Sequence, residues 1–233
     1  MIRHQPIEKY AMARNRFLQI ILALTILVPM AGCASHRIAI AEKFGYAKRE
    51  QLVDRVQDAR DGQVKAKQQF ESALKQFLAV TNVSSAELRD LEDKYDKLNR
   101  EYERSESRAQ EVHDRIQAVQ QVAEELFSEW QEELKQYSNE NLRRSSRRQL
   151  EDTRRQYNRL VGVMKTAESR MAPVLAAFKD QVLFLKHNLN ARAISSLQQN
   201  ADQIQSDVAR LVREMEASIK EANEFIEQMQ AAK

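Results

Sequence analysis

The chain has 233 residues with only 4 glycines and 3 prolines, and 30% of its side chains are charged. A compact β or α/β protein uses Gly, Pro and Asn in many turns, so this composition excludes one and points to a few long helices. The net charge of +3 resides in residues 1–32, where Arg3, Lys9, Arg14 and Arg16 face Glu8; from residue 33 onward acidic and basic side chains balance, which removes any global attraction to nucleic acid.

The first element is a twelve-residue apolar run, "FLQIILALTILV", behind Arg14 and Arg16. A membrane span needs about 20 residues. The run fits the hydrophobic region of a secretory signal peptide. It is followed by "PMAGC", where Ala31 and Gly32 precede Cys33, the single cysteine of the chain. The pattern resembles the lipobox of bacterial lipoproteins, in which the cysteine is acylated and becomes the mature N-terminus. Met30 stands where such motifs more often carry Leu. Ala34 rather than Asp after the cysteine implies, on that resemblance, delivery to the outer membrane. The expected organisation is a lipoprotein signal peptide over 1–32, a lipidated Cys33 with a short tether or helical lead-in over 33–47, and a long helical bundle over 48–230. Gly45 is the expected joint before the first long helix. One thiol also excludes disulfides and thiolate metal sites within one chain.

Four series of residues then repeat at alternating spacings of three and four. They run Val56–Val80 with Gln63 as the polar member, Leu88–Tyr137 with Ser105 and Glu133, Leu150–Leu185 with Thr153 and Gln181, and Ile194–Met229 with Ser218. A spacing averaging 3.5 keeps one stripe of a helix facing a partner. No strand reading survives so regular a pattern. The breaks carry helix-end chemistry. Ser84 followed by Glu87 is a capping-box pattern, "YSNEN" (137–141) offers polar caps, and Asn188 and Asn190 suit a turn. Helices are expected near 48–81, 85–137, 140–187 and 190–230. Pro173 removes one backbone bond within the third series, but the stripe continues in phase, which favours a kink over a stop.

Short connections make neighbouring helices antiparallel. The expected fold is therefore all-α, an elongated up-down-up-down four-helix bundle or coiled coil. The 137–141 turn and both chain ends should share one end, and the other two turns the opposite end. Residue 48 should lie near 118, and residue 230 near 147. At "REQLVDRVQDARD", "QVLFLKHNLNARAI" and "ELKQYSNENLRRSS" the chain resembles a family of uncharacterised bacterial coiled-coil lipoproteins known only as a domain of unknown function. The resemblance spans the mature chain. It implies an envelope location and a long helical fold, and supplies no activity, cofactor or functional residue.

The residues offer no catalytic set. Glycines stand only at 32, 45, 62 and 162, so no phosphate-binding loop forms. Histidines at 4, 36, 113 and 187 give no ligand pair at helical spacing, and no serine has a nucleophile elbow. No enzymatic role, metal or cofactor is expected. Two polar clusters are candidate interaction sites. One is Lys186, His187, Asn188, Asn190 and Arg192, which also reads as a helix end with dipole and capping residues. The other is "LRRSSRRQLEDTRR" (142–155), with Arg143, Arg144, Arg147 and Arg148. Antiparallel pairing predicts that Arg144 and Arg147 meet Glu132 and Glu133, Arg148 meets Glu129, and Arg154 meets Glu124 and Glu125. Arginines left over, such as Arg143, could touch anionic headgroups. "PVLAAFKDQVLFL" (173–185) is expected to be core rather than a docking patch.

These readings converge on a lipid-anchored protein at the periplasmic face of the outer membrane. Its role would be structural or interactive, with an envelope protein partner or self-association and no nucleic acid. The alternative is a bundle holding a lipid or small ligand between helices, where Ala59, Ala66 and Ala73 leave room.

Overall fold

The computed structural model describes residues 33–83 and 89–231. The expected signal peptide and the Ser84–Glu87 capping pattern lie outside the described residues. The chain divides into two units, Met1–Lys43 and Phe44–Lys233. Among the described residues there are four helices and no strands: α1 (Cys33–Thr81), α2 (Leu91–Leu134), α3 (Glu140–His187) and α4 (Ala191–Ala231).

The second unit is an antiparallel four-helix bundle, as the periodicity predicts. The α2 and α3 backbones, and the α3 and α4 backbones, approach each other most closely. Helix α1 joins through longer side chains. It runs antiparallel to α2, with Lys48 at Glu125 and Glu129 and Gln69 at Glu101. It also runs antiparallel to α4, with Arg60 at Asn223 and Lys67 at Glu216. Phe77 of α1 and Phe178 of α3 meet edge to face across the core, their ring centroids 6.2 Å apart.

The stripes are the core. Every apolar member of the first is fully buried, from Val56 to Val80. Of the stripes' six polar members Gln63, Ser105, Thr153 and Ser218 are buried, while Glu133 and Gln181 are half-buried. Burial requires their hydrogen bonds to be satisfied internally. Ser105 Oγ donates to Glu101 O at 2.7 Å and Thr153 Oγ1 to Gln149 O at 2.8 Å, the bond back to the preceding turn that hydroxyls make in helices. Ser218 Oγ instead donates across helices to Gln63 Oε1 at 2.8 Å, leaving Gln63 Nε2 buried without a partner.

Three boundaries differ from the sequence expectation. Helix α1 begins at Cys33 rather than near residue 48 and runs past Gly45 to Thr81. Ala, Glu, Lys and Arg around Gly45 favour helix enough to offset the roughly 1 kcal/mol that one glycine costs. Helix α2 begins at Leu91, with Asp90 at its N-cap making no side-chain capping bond. Residues 82–90 therefore separate it from α1. A connection of that length slides the α1–α2 register by about two turns, which puts Lys48 beside Glu125 and Glu129 rather than near residue 118. On the α4 side, the Arg159–Glu221 pair keeps the register close to that expected. Helix α2 also ends at Leu134, short of Tyr137.

The remaining ends follow their residues. Asn139 caps α3, its Oδ1 accepting from Asn141 N at 2.9 Å and Leu142 N at 3.2 Å. Asn188 closes α3 with Nδ2 on Phe184 O, and Asn190 Oδ1 accepts from Ala193 N at the start of α4. Pro173 lies inside α3 on its exposed side, and the helix continues through it. The carbonyl it deprives of a donor belongs to exposed Ser169, where the loss costs least.

Candidate functional site

The end of the bundle at the α2–α3 turn is built from three helices. Trp130 of α2 is buried and donates from Nε1 to Ser146 Oγ of α3 at 2.9 Å. The Arg49 guanidinium of α1 lies over the same ring, 4.2 Å from its centroid, a cation–π contact that fastens α1 to the hairpin. Lys48 Nζ is 2.5 Å from Glu129 Oε1 and 3.4 Å from Glu125 Oε2. The Glu129 bond raises the lysine's pKa above its ordinary value. Burial lowers that of Arg49, and burial followed by the neighbouring Glu129 charge raises that of Glu133, with Arg49 opposing.

This arrangement corrects the predicted pairing of the arginines. Three of the five glutamates find their cations elsewhere. Glu125 and Glu129 pair with Lys48 of α1, and Glu132 pairs with Lys135 within its own helix end, Nζ lying 2.7 Å from both oxygens. Arg143 pairs with Glu140 and Arg155 with Asp152, each one turn away. Arg144 donates to Asn141 Oδ1 at 2.7 Å. Arg154 lies 5.0 Å over the Phe127 ring rather than against Glu124 or Glu125. Among the described residues Arg144, Arg147 and Arg148 form no ion pair. The reason is geometric. Side chains lean toward the N-terminus of their own helix, so heads on antiparallel helices move apart from residues their Cα atoms face. A partner one turn away on the same helix requires less ordering.

Arg143 and Arg147 line an open surface groove of about 430 Å³ with Gln131, Glu132, Leu134 and Lys135. Leu142 is 57% exposed and Tyr137 is 39% exposed at the same turn. Tyr137 was expected on the buried stripe. It stands outside because α2 stops before it.

The second cluster lies at the opposite end and does not converge. Asn188 and Asn190 are helix caps, while Lys186, His187 and Arg192 are exposed. Their neighbours include exposed Leu183, Phe184 and Leu189, so "PVLAAFKDQVLFL" is core through Val174, Phe178, Val182 and Leu185, with Leu175 and Ala177 packed against them, while Leu183 and Phe184 face outward. A run apolar on all sides carries no phase, so its outward face is not marked in the sequence. Ala59, Ala66 and Ala73 are fully buried within the core.

Elsewhere, His113 Nδ1 and Glu168 Oε1 lie 2.5 Å apart between α2 and α3, with Gln117 Nε2 2.7 Å from the other ring nitrogen. The pair links the two helices. Among the described residues no cluster of three metal-ligating side chains occurs, and no helix is long and apolar enough to cross a membrane.

Residues 38–229 match the family described as "Protein of unknown function (DUF2959)", and the chain belongs to that family. No curated protein and no solved structure matches it.

Proposed function

We propose that this chain is a lipid-anchored, periplasm-facing coiled-coil protein of the bacterial cell envelope whose role is structural or interactive rather than catalytic. The observation that carries the reading is the order of the N-terminal features: a basic segment, the apolar run Phe17–Val28, the small pair Ala31–Gly32, then Cys33. That order suits cleavage before the cysteine and acylation of its thiol. A bundle with a packed core and solvated faces suits a scaffold for partners. The anchor would hold it at the periplasmic face of the outer membrane, against an envelope protein or a second copy.

Metabolic labelling with a fatty acid tests it. Native chain should incorporate label and fractionate with the outer membrane, whereas Cys33→Ser should do neither. A Cys33→Ser chain that is labelled and fractionated like the native one would refute the anchor. Crosslinking in cells then tests the role, which fails if no specific envelope partner is captured and deletion leaves the envelope intact.

A further inference from the structure

We propose that the α2–α3 end of the bundle, through Arg144, Arg147 and Arg148 with Leu142 and Tyr137, docks on an anionic phospholipid surface. The proposal takes its membrane from the envelope reading but needs no acyl chain, so the two fail separately.

Three observations carry it. First, six arginines lie between residues 142 and 155, and of the five acids expected to neutralise them Glu125 and Glu129 are taken by Lys48 and Glu132 by Lys135. Arg144, Arg147 and Arg148 are exposed and without ion pairs among the described residues. Second, they occupy the first turns of α3, whose N-terminus already carries the positive end of the helix dipole. Only Glu140 is acidic in the first turn, and it is held by Arg143. Arg144, Arg147 and Arg148 thus stand beside the positive helix end without an ion-pair partner among the described residues, and an external anion supplies one. Third, the same turn exposes Leu142 and Tyr137. Arginines beside an exposed leucine and an interfacial aromatic fit phosphate headgroups backed by hydrocarbon. A nucleic acid or an acidic peptide satisfies the cations and leaves the leucine in water.

The full chain carrying Cys33→Ser is mixed with vesicles of phosphatidylcholine, alone or with phosphatidylglycerol. Binding is read by sedimentation and by energy transfer from Trp130, the single tryptophan, to a dansyl headgroup. The neutral vesicles report what the apolar N-terminal run contributes. Phosphatidylglycerol should strengthen binding, and added salt should reverse the gain. Arg144→Gln/Arg147→Gln/Arg148→Gln should reduce the gain on the order of 100-fold, as three cations near an anionic surface imply. The three side chains are exposed, and circular dichroism should show the variant as helical as its parent. Lys186→Gln/Arg192→Gln, at the other end, should keep the gain. Equal binding to both vesicles, a triple variant that keeps the gain, or a Lys186→Gln/Arg192→Gln variant that loses it overturns the proposal. Polyphosphate supplies the last arm. If the arginine variant loses polyphosphate as it loses vesicles while Leu142→Ser weakens neither, the partner is a soluble polyanion and the lipid surface is wrong.

Discussion

Gly62 in α1 and Gly162 in α3 both occupy helix interiors, and replacing either with Ala gains about 1 kcal/mol of helix propensity. Their surroundings separate them. A Cβ at Gly162 meets nothing within 4 Å, so Gly162→Ala should keep the whole gain and raise Tm by about 2–4 °C. A Cβ at Gly62 would stand 2.8 Å from Arg115 Cδ and 3.3 Å from its Nε. That stem crosses the glycine to bring Nη1 within 2.6 Å of Asp58 O on α1, while Nη2 holds Glu111 Oε1 at 2.5 Å. Displacing the stem forfeits the bond between helices, worth about 1 kcal/mol for a charged donor that is partly solvated. Gly62→Ala alone should therefore leave stability nearly unchanged. With Arg115→Ala as background the obstruction is gone, and Gly62→Ala should recover about 1 kcal/mol. Urea unfolding followed by far-ultraviolet circular dichroism on the native chain, both single variants and the double variant gives the coupling directly. Equal gain from Gly62→Ala in both backgrounds would refute the claim that Arg115 is what requires a glycine there.

Two further predictions use the same measurement. Burial and the Glu129 charge raise the Glu133 pKa in the folded state, so its stabilising contribution is fully present below the unfolded carboxylate pKa and is lost as pH rises through the folded value. Glu133→Gln should consequently be more stable than native at neutral pH, with the advantage vanishing near about pH 4; an advantage that grows on acidification would contradict the assignment. Ser218→Ala removes the only partner that the buried Gln63 side chain has among the described residues and should cost about 1–3 kcal/mol. Gln63→Leu/Ser218→Ala removes the unmet polar groups altogether and should restore native stability or exceed it, so a double variant weaker than Ser218→Ala would show that the pair is needed for packing.

The core was legible because periodicity does not depend on polarity. Gln63, Ser105, Thr153 and Ser218 were placed on stripes by spacing alone, and all four are buried. Helix ends were legible where a residue can act by itself, as Asn139, Asn188 and Asn190 do. Register between α1 and α2 was not, because it depends on the length of the 82–90 connection, and the spacing of a heptad stripe is unchanged by a slide of two turns. Tyr137 kept the rhythm of its stripe after the helix had ended. Rhythm marks which face a residue would take in a helix and is silent on whether the helix still exists.

Charge partners were the least legible part, and the reason bears on function. A long cation on a helix can choose among acids one turn away, acids on either neighbouring helix, and an aromatic face. Lys48, Arg143 and Arg154 take three different options. Counting opposite charges across a hairpin therefore overstates neutralisation. Five glutamates at 124–133 face six arginines at 143–155, yet Lys48 of a third helix takes Glu125 and Glu129, and Lys135 takes Glu132. What remains at the turn is Arg144, Arg147 and Arg148, exposed and without ion pairs among the described residues although Glu132 lines the same groove as Arg147. A chain balanced from residue 33 onward thereby keeps exposed arginines without ion pairs at one turn, and the reach of such charges, about 10 Å at moderate salt, suits a partner that comes into contact rather than one steered from afar.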